Sequence, residues 1–185
     1  MSTFWDLMGS MLIGSLLMIT ILAFSNNLSN ERCMSNLWVI TQESACTLSD
    51  VIEYDLSKIG YGTGSKENNI LYADSNAVSF LLDLDDDGSL DSVMYYVSDV
   101  SGASGTENPN DVLFYRVVND DQNAGSALGV TNFRINYYDS TGAVTGSLNR
   151  IKEIEVIFDI ESPLTIDDYY PAVHIRKSVK PKNIL

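Results

Sequence analysis

The stretch DLMGSMLIGSLLM, residues 6–18, places a carboxylate directly before a run of apolar and small side chains. No charged residue occurs from position 7 to position 30, which makes an uncharged segment of 24 residues. At about 1.5 Å of rise per residue, a helix of this length reaches across a hydrocarbon core of about 30 Å. The stretch therefore predicts a membrane-spanning helix with an acidic residue, Asp6, at its start, where an unpaired charge is costly.

A cleaved secretory signal is the alternative interpretation of this segment. The small residues of AFS, positions 23–25, are of the kind that a signal peptidase reads. Residues 1–5, however, contain no Lys or Arg, and Asp6 is acidic where a secretory signal carries positive charge. The flanking residues therefore favour a segment that is retained.

The composition limits what the rest of the chain can be. A length of 185 residues allows one domain with a proper core and one additional element, but is short for two domains. The formal net charge of −14, with only 11 Lys and Arg residues, argues against a nucleic-acid-binding surface, which needs clustered basic side chains. Such an acidic chain is typical of a solvated extracytoplasmic surface or of a cation binder.

Residues 31–59 predict an amphipathic helix. Apolar residues recur there mostly at steps of three and four, the period of a helix with one buried face: Leu37, Ile40, Ala45, Leu48, Ile52, Leu56 and Ile59. No glycine lies between Gly14 and Gly60, so the simplest prediction joins both segments into one helix from residue 3 to residue 59. Gly60 is then the left-handed C-cap.

The two cysteines, Cys33 and Cys46, both fall within this predicted helix. Thirteen residues at about 1.5 Å each separate them by about 20 Å, far more than a disulfide bond allows. We therefore expect free thiols that pack as small hydrophobic side chains, or thiols that pair between chains.

From residue 70 onward the hydrophobic period changes to two, which predicts strands. Six segments bounded by turn-forming residues have this pattern: 76–84, 89–97, 111–118, 130–139, 151–160 and 172–179. Their short spacing leaves little room for crossover helices, so we expect a mostly antiparallel sheet that packs on the apolar helix face. The predicted fold class is α+β, with a hydrophobic helix at 1–30, its amphipathic continuation at 31–60 and an antiparallel β head at 61–185.

An aspartate-rich segment, DLDDDGSLD at residues 83–91, resembles a calcium-binding loop. Its oxygen-bearing residues and its glycine match loop positions 1, 3, 5, 6, 7 and 9: Asp83, Asp85, Asp87, Gly88, Ser89 and Asp91. Position 12 is Met94, so the bidentate carboxylate is absent and another segment must supply an oxygen. The alternative is an acidic hairpin turn in water, because Asp and Gly are ordinary turn residues. The sequence leaves both interpretations open.

A long N-terminal helix, apolar and then amphipathic, before an antiparallel sheet resembles the type IV pilin architecture. The order of several segments is similar, more narrowly, to the minor pilins and minor pseudopilins of type IV pili and type II secretion systems. These segments are DLMGSMLIGSLLM (6–18), VIEYDLSKIGYG (51–62), AVSFLLDLDDDGSLDSVMYYV (77–97), VTNFRINYYDSTG (130–142) and HIRKSVKPKNIL (174–185). Family members also carry a basic leader that ends in Gly, and a Glu at the fifth mature position. Here no such leader precedes STFWD, and Asp6 stands in place of the Glu; removal of Met1 would make Asp6 the fifth residue.

The resemblance implies that subunits polymerise through this helix and that the carboxylate of Asp6 meets the N-terminal amine of a neighbouring subunit. The alternative is a hydrated Asp6 at the membrane interface, where the helix N-terminus mildly favours its charge. Ser10 and Gly14 form a small-xxx-small step that lets helices approach closely. Gly9 and Ser15 lie beside them, so these four residues and Asp6 form the predicted assembly site.

We predict a structural subunit of a type IV pilus-like or pseudopilus filament. It is a homo-oligomer or a co-polymer with related subunits, anchored in the inner membrane before assembly and extracellular or periplasmic afterwards. The alternative is a non-polymerising, single-pass anchored binding module in which the acidic loop holds Ca²⁺. An enzyme is not expected, because His174 is the only histidine and no nucleophile, zinc or phosphate-binding motif occurs.

Overall fold

The computed structural model describes residues 2–119, 121, 125–126, 128–166 and 168–184. One helix, α1 (Ser2–Ser57), precedes strands β1 (Ile70–Ala73), β2 (Ala77–Leu82), β3 (Asp91–Val97), β4 (Phe114–Val118), β5 (Val130–Tyr138), β6 (Glu153–Glu161) and β7 (Ala172–Val179). The α+β fold class predicted from the sequence is confirmed. The strand that the sequence did not predict, β1, has only four residues and no alternation of buried and exposed positions.

The end of α1 lies two residues before the predicted one, and Gly60 adopts the predicted left-handed conformation with φ of +77°. The Gly60 N–H donates a hydrogen bond to the carbonyl oxygen of Leu81 in β2, at 2.9 Å. A side chain at this position would be strained in conformation, and its Cβ would come within 2.6 Å of the Asn69 amide. Gly60 therefore ends the helix and fixes its last turn against the sheet.

The strands form two antiparallel sheets where the sequence predicted one. The first sheet has the order β1-β2-β3-β4, and the second has the order β5-β6-β7. The sheets stay separate because the outer edge of β5 bonds to the β1–β2 connection and to the segment just before β4, but not to β4 itself. Its Ile135 N–H donates to the carbonyl of Ser75 at 2.7 Å, and its Val130 carbonyl accepts from Val112 at 2.8 Å.

The core is formed by one face of α1 and the apolar faces of both sheets. Five of the seven predicted helix-face residues belong to it, together with large side chains from the strands: Ala45, Leu48, Ile52, Leu56, Ile59, Phe80, Tyr95, Phe133 and Phe158. Leu37 is also buried, whereas Ile40 is 52% exposed, so the predicted apolar face is interrupted at that residue.

Both cysteines are free thiols, and both are exposed. The expectation that they pack as small hydrophobic side chains was wrong. Cys46 follows the fully buried Ala45 directly, and one residue turns the helix by about 100°, which carries the thiol away from the core face.

A buried polar network joins α1 to the first sheet. The carboxylate of Asp55, which is 1% exposed, accepts hydrogen bonds from the Tyr95 hydroxyl at 2.5 Å and from Nε of Arg116 at 2.7 Å. Burial raises the pKa of Tyr95, and the charge of Asp55 raises it further, so the phenol remains a donor. On the other side of the helix, Lys177 of β7 forms a salt bridge of 2.6 Å with Glu53.

The chain divides into two compact units, Met1–Leu37 and Trp38–Leu185. The first unit consists of the N-terminal part of α1. The second contains the rest of α1 and both sheets. The two candidate sites described next lie one in each unit.

Candidate assembly segment and candidate metal centre

The first unit exposes apolar side chains on all sides of its helix. Met11, Leu12, Leu16 and Phe24 are each between 65% and 68% exposed. An apolar surface of this extent is not stable in water without a cover of lipid or protein. By length and composition, α1 is able to cross a membrane, or to act as a signal sequence near the N-terminus.

Three hydroxyl groups within the apolar segment donate to carbonyl oxygens of the helix itself. Ser10 donates to the carbonyl of Leu7 at 2.9 Å, and Ser15 donates to the carbonyl of Leu12 at 2.9 Å. Thr20 makes the same kind of bond to the carbonyl of Leu17. Because these three donors need no external partner, the part of the helix that carries them can enter an environment without water.

Three of the predicted assembly residues share one face of α1. Asp6, Ser10 and Gly14 follow one another at steps of four within the helix, and Gly9 flanks them. Ser15 lies on the opposite side of the helix from Asp6, because nine residues turn the helix by about two and a half turns. A Cβ added at Gly9 or Gly14 would meet no atom within 4 Å. The backbone at both glycines is therefore open to a close neighbour.

Asp6 is exposed, and no ion pair or hydrogen bond to its side chain occurs within the described residues. It follows the first turn of α1, which holds no acidic residue. The described residues therefore supply no partner for the Asp6 carboxylate, and a partner from a neighbouring subunit stays a prediction.

The second candidate site is the acidic loop between β2 and β3. Asp83, Asp85 and Asp91 each offer a carboxylate oxygen, and these oxygens all lie within 4.8 Å of one another. Two ligands on opposite sides of one Ca²⁺ ion lie about 5 Å apart at most, since each sits 2.3–2.6 Å or so from the ion. The three carboxylates are thus close enough to share a metal ion.

Hydrogen bonds to backbone N–H groups hold the loop in this shape. The N–H of Gly88, which has φ of +84°, donates to Oδ2 of Asp83 at 3.0 Å. The N–H of Asp87 donates to Oδ1 of Asp85 at 3.3 Å, and that of Leu84 donates to Oδ2 of Asp91 at 2.9 Å. The glycine thus makes the tight turn that the sequence predicted for it.

One carboxylate oxygen in the group has no partner. Asp83 is only 7% exposed, and its Oδ1 is buried without a hydrogen bond in the described structure. Leaving a buried acceptor unsatisfied costs about 1–3 kcal/mol, and more for a charged group. A bound cation would satisfy this oxygen directly.

Asn119, just after β4, contacts the acidic group through Asp91, a role that the sequence did not reveal. Its amide donates to Oδ1 of Asp91 at 2.6 Å, and this bond, together with the bond from Leu84, holds the pKa of Asp91 below its usual value. Asn119 follows β4 with φ of +52°, a conformation that Asn tolerates better than most residues. Asp91 is therefore kept ionised and oriented by a residue 28 positions away.

Two of the five predicted calcium ligands lie outside the group. Asp87 is exposed, and its Oδ1 accepts a hydrogen bond of 2.7 Å from the N–H of Ser89, which is also exposed. Loop position 12 is Met94, and it lies within β3, where it pairs with Ser79 and Val117. The described residues thus offer three carboxylates and leave the remaining coordination positions to water or to backbone oxygens.

The acidic loop rests on the turn that follows α1. The N–H of Asp83 donates to the carbonyl of Tyr61 at 2.9 Å, and a Cβ on Gly62 would come within 2.5 Å of the Asp83 Cβ. A hydrogen bond to Asp86 raises the pKa of Tyr61. The position of Asp83 is therefore set by the helix exit as well as by its own loop.

Comparison with known proteins finds no family model, no curated protein and no solved structure that matches this chain.

Proposed function

We propose that the protein is a non-catalytic structural subunit of a type IV pilus-like or pseudopilus filament, and that it polymerises through its N-terminal helix. The observation that supports this proposal best is the exposed apolar surface of residues 3–30, which nothing in the described chain covers. The architecture, an apolar N-terminal helix continuing into an antiparallel β head, agrees with it.

Two environments cover the apolar segment, one before assembly and one after it. Before assembly the inner membrane covers it, because its length and composition suit a bilayer. In the filament, copies of this chain or related subunits replace the lipid. Since lipid tails are as apolar as leucine, exchange of lipid for helix contacts depends on close packing at small residues, which Gly9, Ser10 and Gly14 provide.

Asp6 fixes how neighbouring subunits align when helix contacts replace lipid. A carboxylate near lipid costs several kcal/mol when it is unpaired, and a neighbouring amine removes this cost. In the proposed filament the N-terminal amine of an adjacent subunit is that partner. The subunit register is then fixed by one charged contact within an apolar core.

Electron microscopy of the purified full chain after removal of detergent tests the proposal. We expect filaments from the native chain, fewer or none from Asp6→Asn, and native amounts from Glu31→Gln, which removes an exposed acidic charge just beyond the apolar segment. Absence of filaments under all conditions would reject polymerisation and favour the single-pass anchored binding module. Equal assembly of native chain and Asp6→Asn would remove the charged contact from the proposal.

We further propose that the acidic loop binds Ca²⁺ through Asp83, Asp85 and Asp91. The specific observation in favour is the buried Oδ1 of Asp83, which lacks a partner while its neighbours are hydrogen-bonded. Asp87 and Ser89 stay candidates for a rearranged, ion-bound loop. The ion would offset the repulsion among these carboxylates and stabilise the β2–β3 connection.

Thermal unfolding with calcium and with chelator measures this stabilisation. A ligand at 100 times its Kd adds about 2.7 kcal/mol, which corresponds to a rise in Tm of roughly 5–10 °C for a chain of this size. We expect Asp83→Asn to reduce this rise. The control Asp86→Asn should preserve it, because it removes a charge from the same loop but no member of the three-carboxylate group. A rise that is absent, or equal in Asp83→Asn and the native chain, would contradict calcium binding by the loop.

A further inference from the structure

A second carboxylate with a buried, unpartnered oxygen lies outside the acidic loop, in the segment that leads into β4. Asp111 is 2% exposed, and its Oδ1 is buried with no hydrogen-bond partner in the described structure. Of the buried side-chain atoms in the described residues, only this oxygen and Oδ1 of Asp83 are in that state. No described side chain donates a hydrogen bond to this oxygen, so a bound ion or water is needed to satisfy it.

The surrounding segment is anchored firmly, so the position of Asp111 is not that of a loose loop. The amide of Asn108, which is 1% exposed, donates to Oε2 of Glu161 at 2.9 Å and to the carbonyl of Ser162 at 3.3 Å. The N–H of Asp111 donates to the carbonyl of Asn108 at 3.2 Å. These bonds fix Asp111 beside the end of β6.

Asp111 and Glu161 line the same cavity, which has a volume of about 170 Å³. The hydroxyl-bearing residues Ser44 and Thr106 also line it, and no Lys, Arg or His occurs among its described lining residues. Burial raises the pKa of Asp111, a hydrogen bond from the side chain of Thr106 lowers it, and the charge of Glu161 raises it again. Two carboxylates thus share a small cavity that holds no positive charge of its own.

We propose that this cavity binds a divalent hard cation, with Asp111 and Glu161 as its carboxylate ligands. Carboxylate and hydroxyl oxygens are the ligands that such ions prefer, and one divalent charge neutralises both acids. The volume leaves room for water ligands, since a water molecule takes up about 30 Å³ in the liquid. This site is distinct from Asp83, Asp85 and Asp91, and the inference does not depend on filament formation.

Calcium titration of the detergent-solubilised full chain by isothermal calorimetry tests the inference, with Ca²⁺ as the probe. We expect Asp111→Asn to bind one ion fewer than the native chain. The control Glu107→Gln, an exposed acid of the same segment that does not line the cavity, should bind the native number. A double variant of the acidic loop, Asp83→Asn with Asp91→Asn, should still bind one ion.

Adding Glu161→Gln to that loop variant should weaken the remaining site about tenfold or more, because carboxylate count sets calcium affinity. This variant decides the question if Asp111→Asn fails to fold. The inference is overturned if Asp111→Asn binds as many ions as the native chain, or if the loop variant binds none. Failure of the acidic-loop site alone gives a different result: one ion in the native chain, kept in the loop variant and lost in Asp111→Asn.

Discussion

Deletion of residues 1–30 is expected to leave a soluble monomer, whereas the full chain is expected to associate with membranes and to polymerise. The deleted residues carry most of the large apolar side chains that are exposed in α1, including Leu12, Leu16 and Phe24. The core residues all come from Ala45 onward, within the unit Trp38–Leu185. The deletion therefore removes the surface through which we propose that the subunits associate, and it removes no residue of the core.

Sedimentation or light scattering in detergent-free buffer gives the mass of the truncated chain. We expect the mass of one chain and an unchanged β-sheet signal in circular dichroism. A full-length variant, Leu16→Arg, tests the same segment without shortening the chain. Arg at a helix centre costs about 2.5–3.5 kcal/mol on membrane insertion, so we expect this variant to associate less with membranes. Polymers formed by the truncated chain would show that the head alone assembles and would contradict the proposed role of the helix.

The second large effect is expected from Asp55→Ala in the chain that lacks residues 1–30. Removal of one partner from a buried ion pair costs about 3–5 kcal/mol, because the other partner stays buried and uncompensated. Here the variant leaves the Tyr95 hydroxyl, which is 1% exposed, and the partly buried Arg116 without their acceptor. We expect the free energy of unfolding to fall by about 3 kcal/mol, with Arg116 limiting the loss because 32% of its side chain reaches water.

Urea denaturation followed by circular dichroism measures this change. Asp50→Ala is the matched control, since Asp50 lies on the same helix but is exposed, and exposed substitutions usually change stability by less than about 0.5 kcal/mol. A double-mutant cycle with Arg116→Ala separates the ion pair from the tyrosine bond. Equal stability of Asp55→Ala and Asp50→Ala would mean that the network does not hold the helix on the sheet.

Periodicity in the sequence predicted the elements well because it reports which face of each element is buried. The helix face at Ala45, Leu48 and Ile52 and the last strand, 172–179, lie where the pattern placed them. Division into two sheets could not be predicted in this way. It depends on which backbone groups the edge of β5 meets, and Ser75 and Val112 are distant in sequence from Ile135 and Val130.

The acidic loop was predictable because the carboxylates that it brings together are close in sequence. Residues 83–91 contain the glycine and three of the oxygens that form the group. Asn119, which orients Asp91, carries no local signal, since its role follows only from the pairing of β3 with β4. Met94, at loop position 12, has no side-chain oxygen, and the structure places it within β3.

The burial of Asp111 and Asp55 could not be predicted from the sequence. Asp111 lies where a predicted loop meets a predicted strand, and Asp55 lies in the predicted amphipathic helix, and other acids occur in both segments. Both residues matter because they are buried: Asp111 is 2% exposed and Asp55 is 1% exposed. The partner of Asp55, Arg116, lies more than 40 positions away in the sequence. Burial of one polar group among apolar neighbours leaves no periodic trace in the sequence.

In the proposed filament, the apolar helices of neighbouring copies cover one another. Cryo-electron microscopy of the assembled material at side-chain resolution measures this directly. We expect residues 7–30 of adjacent copies to pack together along the filament axis, with Asp6 beside the N-terminal amine of a neighbour. Filaments held together by the β heads, with these helices apart from one another, would contradict the claim.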